Sequence, residues 1–211
     1  MKNLEIINTK KVIFWDFDGV IKDSVDIKTK AYIDIFSNLS NSQKNKIISH
    51  HTKNGGVSRY EKIPLYLQIA NIKNTKHEVN NYINKFSSHV CESVIKSPWV
   101  PGVKSFLKNT CNDKKNILTT ATPLKEIEYI LSRLSIKNFF DSVFGSPKSK
   151  KQAIKESIDK LRLSEKDCIM IGDSSSDYEA AYDCGINFML RETKYNQDLI
   201  KKADYLFRDF L

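Results

Sequence analysis

Lys11-Val12-Ile13-Phe14-Trp15-Asp16-Phe17-Asp18-Gly19-Val20 is the stretch on which the reading of this chain turns. Four consecutive large apolar residues, Val12 to Trp15, leave no polar position for a solvated face. The strand they form is buried on both sides, as in a parallel sheet. Two aspartates and a glycine follow at once. On an extended chain Asp16 and Asp18 point to the same side, and two like charges held that close are unfavourable unless a cation sits with them. A solvated loop carrying two acids has the same composition. The sharper reading is a metal and phosphate site at the strand's carboxyl end.

C-terminal to this strand, residues 25–96 read as four helices with no strand between them. Residues 25–39 carry Ile27, Ala31, Ile35 and Leu39 at helical spacing, with Asp23 or Ser24 as N-cap. A second helix is predicted over 43–52, stopped just before Asn54-Gly55-Gly56. A third starts near Ser58, with Glu61 placed to complete a capping box, and a fourth covers 76–96. Pro98-Trp99-Val100-Pro101-Gly102 then marks a change of pattern. Strands are predicted over 115–120, 141–144, 168–171, 186–190 and 205–207, alternating with helices over 123–134, 149–161 and 177–184. Such alternation implies an α/β fold with a doubly wound, Rossmann-like parallel sheet. The chain divides into a core, 1–22 and 97–211, and an inserted helical domain, 23–96.

In sheets of this kind the ligand lies at the carboxyl ends of the strands. The strand over 168–171 ends in Gly172-Asp173-Ser174-Ser175-Ser176-Asp177, again an acid straight after a buried strand. Asp177 also suits a helix cap. If both strands are central, three carboxylates share one mouth. Oxygen ligands without a His or Cys cluster suit Mg²⁺ better than zinc. The strand over 115–120 ends in Thr119-Thr120-Ala121-Thr122-Pro123, whose hydroxyls and free N–H groups at a helix start can cradle phosphate. Gly145-Ser146-Pro147-Lys148-Ser149-Lys150-Lys151 offers a cation from any of three lysines.

Composition narrows the function classes. Apolar residues at 40% and charged residues at 28% are those of a globular protein with a real core. No apolar run reaches the roughly 20 residues of a bilayer span, and the N-terminal segment lacks the apolar centre of a secretion signal. The expectation is a cytoplasmic protein with no membrane partner. Cys91, Cys111, Cys168 and Cys184 have no C-x-x-C spacing, which argues against disulfides or zinc. The net charge of +9 comes from 34 Lys+Arg against 25 Asp+Glu. The basic residues fall in short scattered pairs without interleaved aromatics, so no nucleic-acid partner is expected.

Taken together, the four strand tips resemble the haloacid dehalogenase (HAD) superfamily. Asp16-Phe17-Asp18-Gly19-Val20 matches its first motif, Thr120-Ala121-Thr122 the second, Lys150 the third, and Gly172-Asp173 with Asp177 the fourth. The helical insert after the first motif resembles the cap of the branch that contains β-phosphoglucomutase and many small-molecule phosphatases. Within it, Asn54-Gly55-Gly56-Val57-Ser58-Arg59 resembles that branch's substrate-selecting loop. With His50-His51 the run is also similar to HAD phosphatases associated with bacterial surface-polysaccharide synthesis.

The resemblance implies a Mg²⁺-dependent phosphatase acting on a small phosphorylated metabolite. Asp16 is then the nucleophile and Asp18 the acid and base. Asp16, the Asp18 carbonyl and Asp173 bind the metal, with Asp177 beside them. Thr120, Ala121 and Lys150 hold phosphate, and the cap residues Arg59, Gly56, Ser58 and Lys28 meet the rest of the substrate. A sugar phosphomutase is the alternative; Lys28 stands where the mutase has a histidine, a departure that counts against it. His50 and His51 are expected to pack in the cap or lie at its surface.

Overall fold

The computed structural model describes residues 4–211; the first three, counted with the core above, lie outside the described residues. Six parallel strands form one sheet: β1 (Val12–Trp15), β2 (Lys115–Pro123), β3 (Ser142–Ser146), β4 (Cys168–Gly172), β5 (Asn187–Arg191) and β6 (Tyr205–Phe207). Their order is β3-β2-β1-β4-β5-β6, so the chain reverses direction across the sheet between β1 and β4. Trp15 is in register with Leu118 of β2 and Ile171 of β4. The residues next in register, Asp16, Thr119 and Gly172, therefore stand side by side at the switch point, where doubly wound sheets bind ligands.

Successive residues of β1 feed opposite faces. Ile13 and Trp15 join the apolar layer formed with α5 (Val103–Asp113) and α6 (Leu124–Arg133), while Val12 and Phe14 join the layer under α7 (Lys150–Leu161) and α8 (Ser175–Asp183). All four are buried, which is why no polar residue interrupts the run.

Between β1 and α5 lie four helices: α1 (Val25–Asp34), α2 (Asn41–Lys53), α3 (Arg59–Ile69) and α4 (Lys76–Lys96). Tyr32 sits at their centre, stacked on Phe86 at 4.0 Å and edge-on to Tyr66 at 5.0 Å. The two connections to the sheet run together: Asp23 N–H donates to the Pro98 carbonyl (2.9 Å), Val100 N–H donates to the Ile21 carbonyl (3.1 Å), and the buried Lys22 ammonium donates to the Ile95 carbonyl (3.0 Å) while lying over the Trp99 ring. Among the described residues no helix is long and apolar enough to cross a membrane.

Several elements differ from the sequence expectation. Helix α1 stops at Asp34, five residues short, because the chain turns through Asn38 in the left-handed region (φ 65°), although Leu39 still reaches the core. Helix α5 is absent from the sequence expectation, yet Val103, Phe106, Leu107 and Thr110 carry the i, i+3, i+4, i+7 spacing of its inner face. Strand β2 continues to Pro123 because it resumes pairing with β3 beyond an irregularity after Thr119. The Ser58 hydroxyl caps α3 by accepting from Tyr60 N–H, without a return bond from Glu61.

Candidate active site

Asp16 leaves β1 with its N–H donating to the Ile171 carbonyl (2.9 Å), which fixes its carboxylate between the tips of β1 and β4. Lys150 is the first residue of α7, set by a reciprocal capping box between Ser149 and Gln152. Its ammonium lies 3.1 Å from Asp16 Oδ2 and 2.5 Å from Asp177 Oδ1. Of the three candidate lysines, Lys150 is the buried one. Lys148 pairs with Glu156 and Lys151 with Asp183 on the exposed side of α7.

Asp177 fills both of the roles open to it from sequence. Its Oδ2 caps α8, accepting from Ser174 Oγ (2.6 Å) and Ser174 N–H (3.1 Å), while its other oxygen meets Lys150. Asp173 carries a third carboxylate to the same place. Carboxylate oxygens of Asp16, Asp173 and Asp177 all lie within 4.8 Å of one another. Gly19, in the left-handed region (φ +78°), makes this approach possible: a Cβ there would overlap the Asp173 carboxylate.

The electrostatics of this cluster call for more positive charge than Lys150 supplies. Burial, then the Asp177 charge, pushes the Asp16 carboxyl well above its ordinary value, against the pull of Lys150. Burial and the charges of Asp16 and Asp177 raise Asp173 further. Burial alone would lower Lys150, but Asp16 and Asp177 outweigh it and hold the ammonium charged. Three crowded oxygen donors, two of them unwilling to ionise, fit a hard divalent cation.

Asp18 is kept apart from that cluster. Its Oδ1 accepts from Ser24 Oγ (2.6 Å), and its Oδ2 meets the Lys28 ammonium and Thr122 Oγ1 (3.4 Å). Burial works to raise its pKa; Lys28 and Ser24 more than offset this and leave it below the usual carboxylate value. Two carboxylates two residues apart are thus driven in opposite directions. Thr120 is buried, with its hydroxyl accepting from Thr122 N–H (3.2 Å), and Thr120 and Ala121 line the cavity above Asp16. Thr119 faces the other side of the sheet, against Met170.

That cavity, about 500 Å³, lies between the strand tips and the four inserted helices. Lys28 reaches into it from α1. Gly56 rests on Ser174 and Ser176, so closely that a Cβ would collide with both hydroxyls. Ser58 Oγ lies 3.1 Å from Ser146 Oγ. Arg59 borders the cavity, but its guanidinium is engaged by both oxygens of Glu126 on α6 (2.6 and 2.8 Å), by Ser87 Oγ (2.6 Å) and by the Phe86 face. His50 bonds to the Tyr66 hydroxyl and His51 is buried against Tyr32.

Three polar groups here, Ser24, Asn196 and Lys62, carry no site role in the sequence reading, and Thr122, part of the phosphate-cradle stretch, takes a further one. Ser24 shows only as a helix cap, and its hydroxyl instead donates to Asp18. Thr122 bridges towards Lys28 (3.0 Å). Asn196, buried in the loop after β5, donates to the carbonyls of Asp173 and Arg191 (both 2.8 Å), and nothing in its sequence neighbourhood announces that. Lys62, buried in α3, reaches the cavity wall at His51.

Among curated proteins none matches the sequence. Solved structures resemble the chain along nearly its whole length. A predicted phosphoglycolate phosphatase from Haemophilus somnus matches with a TM-score of 0.75 and 21% identity, covering 96% of this chain and 95% of that one. A β-phosphoglucomutase from Clostridium difficile matches at 0.72 and 20% identity, over 95% and 92%. A haloacid dehalogenase-like hydrolase from Streptococcus pneumoniae matches at 0.71 and 19% identity, over 96% and 95%. At these identities the likeness is one of fold. The family itself rests on the sequence: residues 12–190, from the start of β1 to β5 and through all four motif-bearing strand tips, match the model of the haloacid dehalogenase-like hydrolases, and the chain belongs to that family.

Proposed function

We propose that this protein is a Mg²⁺-dependent phosphatase that hydrolyses a small phosphorylated metabolite, a sugar phosphate or related precursor, through an aspartyl-phosphate on Asp16. One observation carries this reading: Asp16 faces Lys150 at 3.1 Å while Asp18, two residues on, is held separately by Ser24 and Lys28. A nucleophile and a proton carrier are thereby kept distinct.

A carboxylate meeting a phosphate dianion at about 4 Å is repelled by roughly 8 kcal/mol at an effective dielectric near 20. Lys150 neutralises part of this. Asp16, Asp173 and the Asp18 carbonyl would hold Mg²⁺, with Asp177 beside them, and the ion supplies the remaining positive charge. The Thr120 hydroxyl and Ala121 N–H orient the phosphoryl oxygens. Asp16 attacks phosphorus and the ester P–O bond breaks; the departing oxygen takes its proton from Asp18. Water then attacks phosphorus, Asp18 accepts its proton, and the bond to Asp16 breaks to release phosphate. Ser24 and Lys28 favour the ionised Asp18 that the second half requires. The incoming phosphate's own charge favours the protonated form needed in the first.

Residues 23–96 act on this reading as a cap domain over a core of 1–22 and 97–211, hinged near Lys22–Val25 and Lys96–Pro101, and closure excludes water. Gly56 and Ser58 seat the cap on the core, Lys28 serves Asp18, and Arg59 binds Glu126 instead of substrate. The four cysteines, all unpaired, suit a cytoplasmic enzyme. The test is release of inorganic phosphate from a panel of sugar phosphates, phosphorylated amino alcohols, nucleotides and small phosphorylated acids, with Asp16→Asn as the blank. Equal release by both proteins refutes the assignment.

A further inference from the structure

The cavity above Asp16 has four lysine or arginine residues on its inserted-helix side; Lys53 lies exposed to water, and the charges of the three that are withdrawn from it can be accounted for one by one. Lys28 is paired with Asp18, and Arg59 is paired with Glu126. Among the described residues Lys62 has no such counter-charge. Only 1% of it is exposed, yet its ammonium donates merely to the neutral acceptors His51 Nδ1 (3.0 Å) and the Gly55 carbonyl (3.3 Å), both on residues lining the same cavity. A buried cation without an acid is costly.

The groups around it do not relieve this. From α1, Lys28 repels it and the Tyr32 ring lies 6.0 Å away. From α2, His51 is kept neutral by burial and by the Lys62 and Lys28 charges. Asp18 and Glu61 attract it only through space. Burial, then Lys28, brings the Lys62 ammonium down to about 7.

We propose that Lys62 is the receptor for a carboxylate on the substrate, and that the phosphorylated compound this cavity takes is the monoester of a small hydroxy acid. The inference rests on the phosphatase reading for the reacting end of the cavity and adds the identity of the other end. The one buried amine without an acid matches one monoanion; a second phosphate, a dianion, would leave excess negative charge beside it. His51 holds the amine in place through its Nδ1, and the Gly55 carbonyl fixes it from the loop that rests on Ser174.

The test uses matched pairs: the phosphate monoesters of 2-hydroxyacetate, 3-hydroxypropanoate and 4-hydroxybutanoate against ethyl, propyl and butyl phosphate, with propane-1,3-diol bisphosphate as a third arm. For at least one pair kcat/KM favours the acid on the order of 10- to 100-fold; Lys62→Met erases the preference and Lys62→Arg keeps it. The KM of the acid rises about tenfold per pH unit above pH 7, an arm missing from its alkyl partner. Equal kcat/KM across every pair, retention of the preference in Lys62→Met, or a bisphosphate better than every acid overturns the proposal. Calorimetry on Asp16→Asn separates this from the hydrolytic reading. Tighter binding of an acid ester than of its alkyl partner at pH 8, with proton uptake seen in two buffers, upholds the Lys62 receptor even if wild type releases no phosphate. Equal binding sinks it even if wild type is a phosphatase.

Discussion

Arg59 on α3 and Glu126 on α6 meet as a two-pronged ion pair, 2.6 and 2.8 Å, that ties the inserted helices to the sheet. Both side chains are largely withdrawn from water, so removing one partner strands the other. Glu126→Ala is expected to cost about 3–5 kcal/mol in chemical denaturation. The joint change Arg59→Met with Glu126→Leu should recover much of it. Additive losses in that double-mutant cycle would show that the pair contributes nothing as a pair.

Lys150→Met should lower kcat by roughly 10²–10³ with little change in fold, the scale of removing one charged group that acts at the reacting phosphate. Lys148→Met and Lys151→Met, which lose only surface pairs with Glu156 and Asp183, should leave the rate within about twofold. Circular dichroism on all three keeps unfolding from being mistaken for lost chemistry.

Chelation should abolish turnover and added Mg²⁺ restore it. A second readout needs no substrate: at 100 times its dissociation constant Mg²⁺ should stabilise the folded protein by about 2.7 kcal/mol. In Asp173→Asn most of that gain should vanish, because one of three clustered carboxylates is gone. The same variant without metal should be at least as stable as wild type, since the raised pKa of Asp173 marks a charge the site holds at a cost.

Stability should depend on pH through Lys62. Its folded pKa, about 7, lies below that of the unfolded chain, so between pH 7 and about 10.4 the unfolded state binds the extra proton. Stability from this group therefore rises with pH, by about 1.4 kcal/mol per unit through that window. Below pH 7 the amine is charged in both states and its burial is most costly. Lys62→Met is expected to raise the melting temperature most at pH 6 and least at pH 10. A constant difference across that range would place Lys62 in water.

How far the sequence could be read varied with the range of the interaction. Buried strands declare themselves locally: Val12 to Trp15 and Cys168 to Ile171 are apolar because both faces are covered, and that placed Asp16 and Asp173 at neighbouring tips. The inner face of α5 is equally local, its spacing carried by Val103, Phe106, Leu107 and Thr110 directly after the Pro101-Gly102 turn. Other features depend on partners far along the chain. Glu126 lies 67 residues from Arg59, and without it the arginine reads as a free substrate contact. Asn196 lies 23 residues beyond the Asp173 carbonyl it supports, with no periodicity to mark it. Ser24 looks the same whether its hydroxyl caps a helix or binds an aspartate six residues back. Residue types alone leave Lys148, Lys150 and Lys151 equivalent and only the motif resemblance favours Lys150; the start of α7 supplies the physical reason, since one residue's shift turns a helical side chain by about 100°.

The paired connections at Asp23–Pro98 and Ile21–Val100 leave the sheet and return to it one hydrogen bond apart. A chain that departs and rejoins at neighbouring points imposes no strain on strand order, whatever is threaded between. The helices between them can be lengthened, shortened or exchanged for another fold without moving Asp16 relative to Lys150. The Asp16–Lys150 pair is therefore set by the sheet, while Ser24 and Lys28 must keep their places against Asp18; transplanting residues 23–96 onto a relative's sheet should carry the preference for one ester over another along with it where those two contacts are retained.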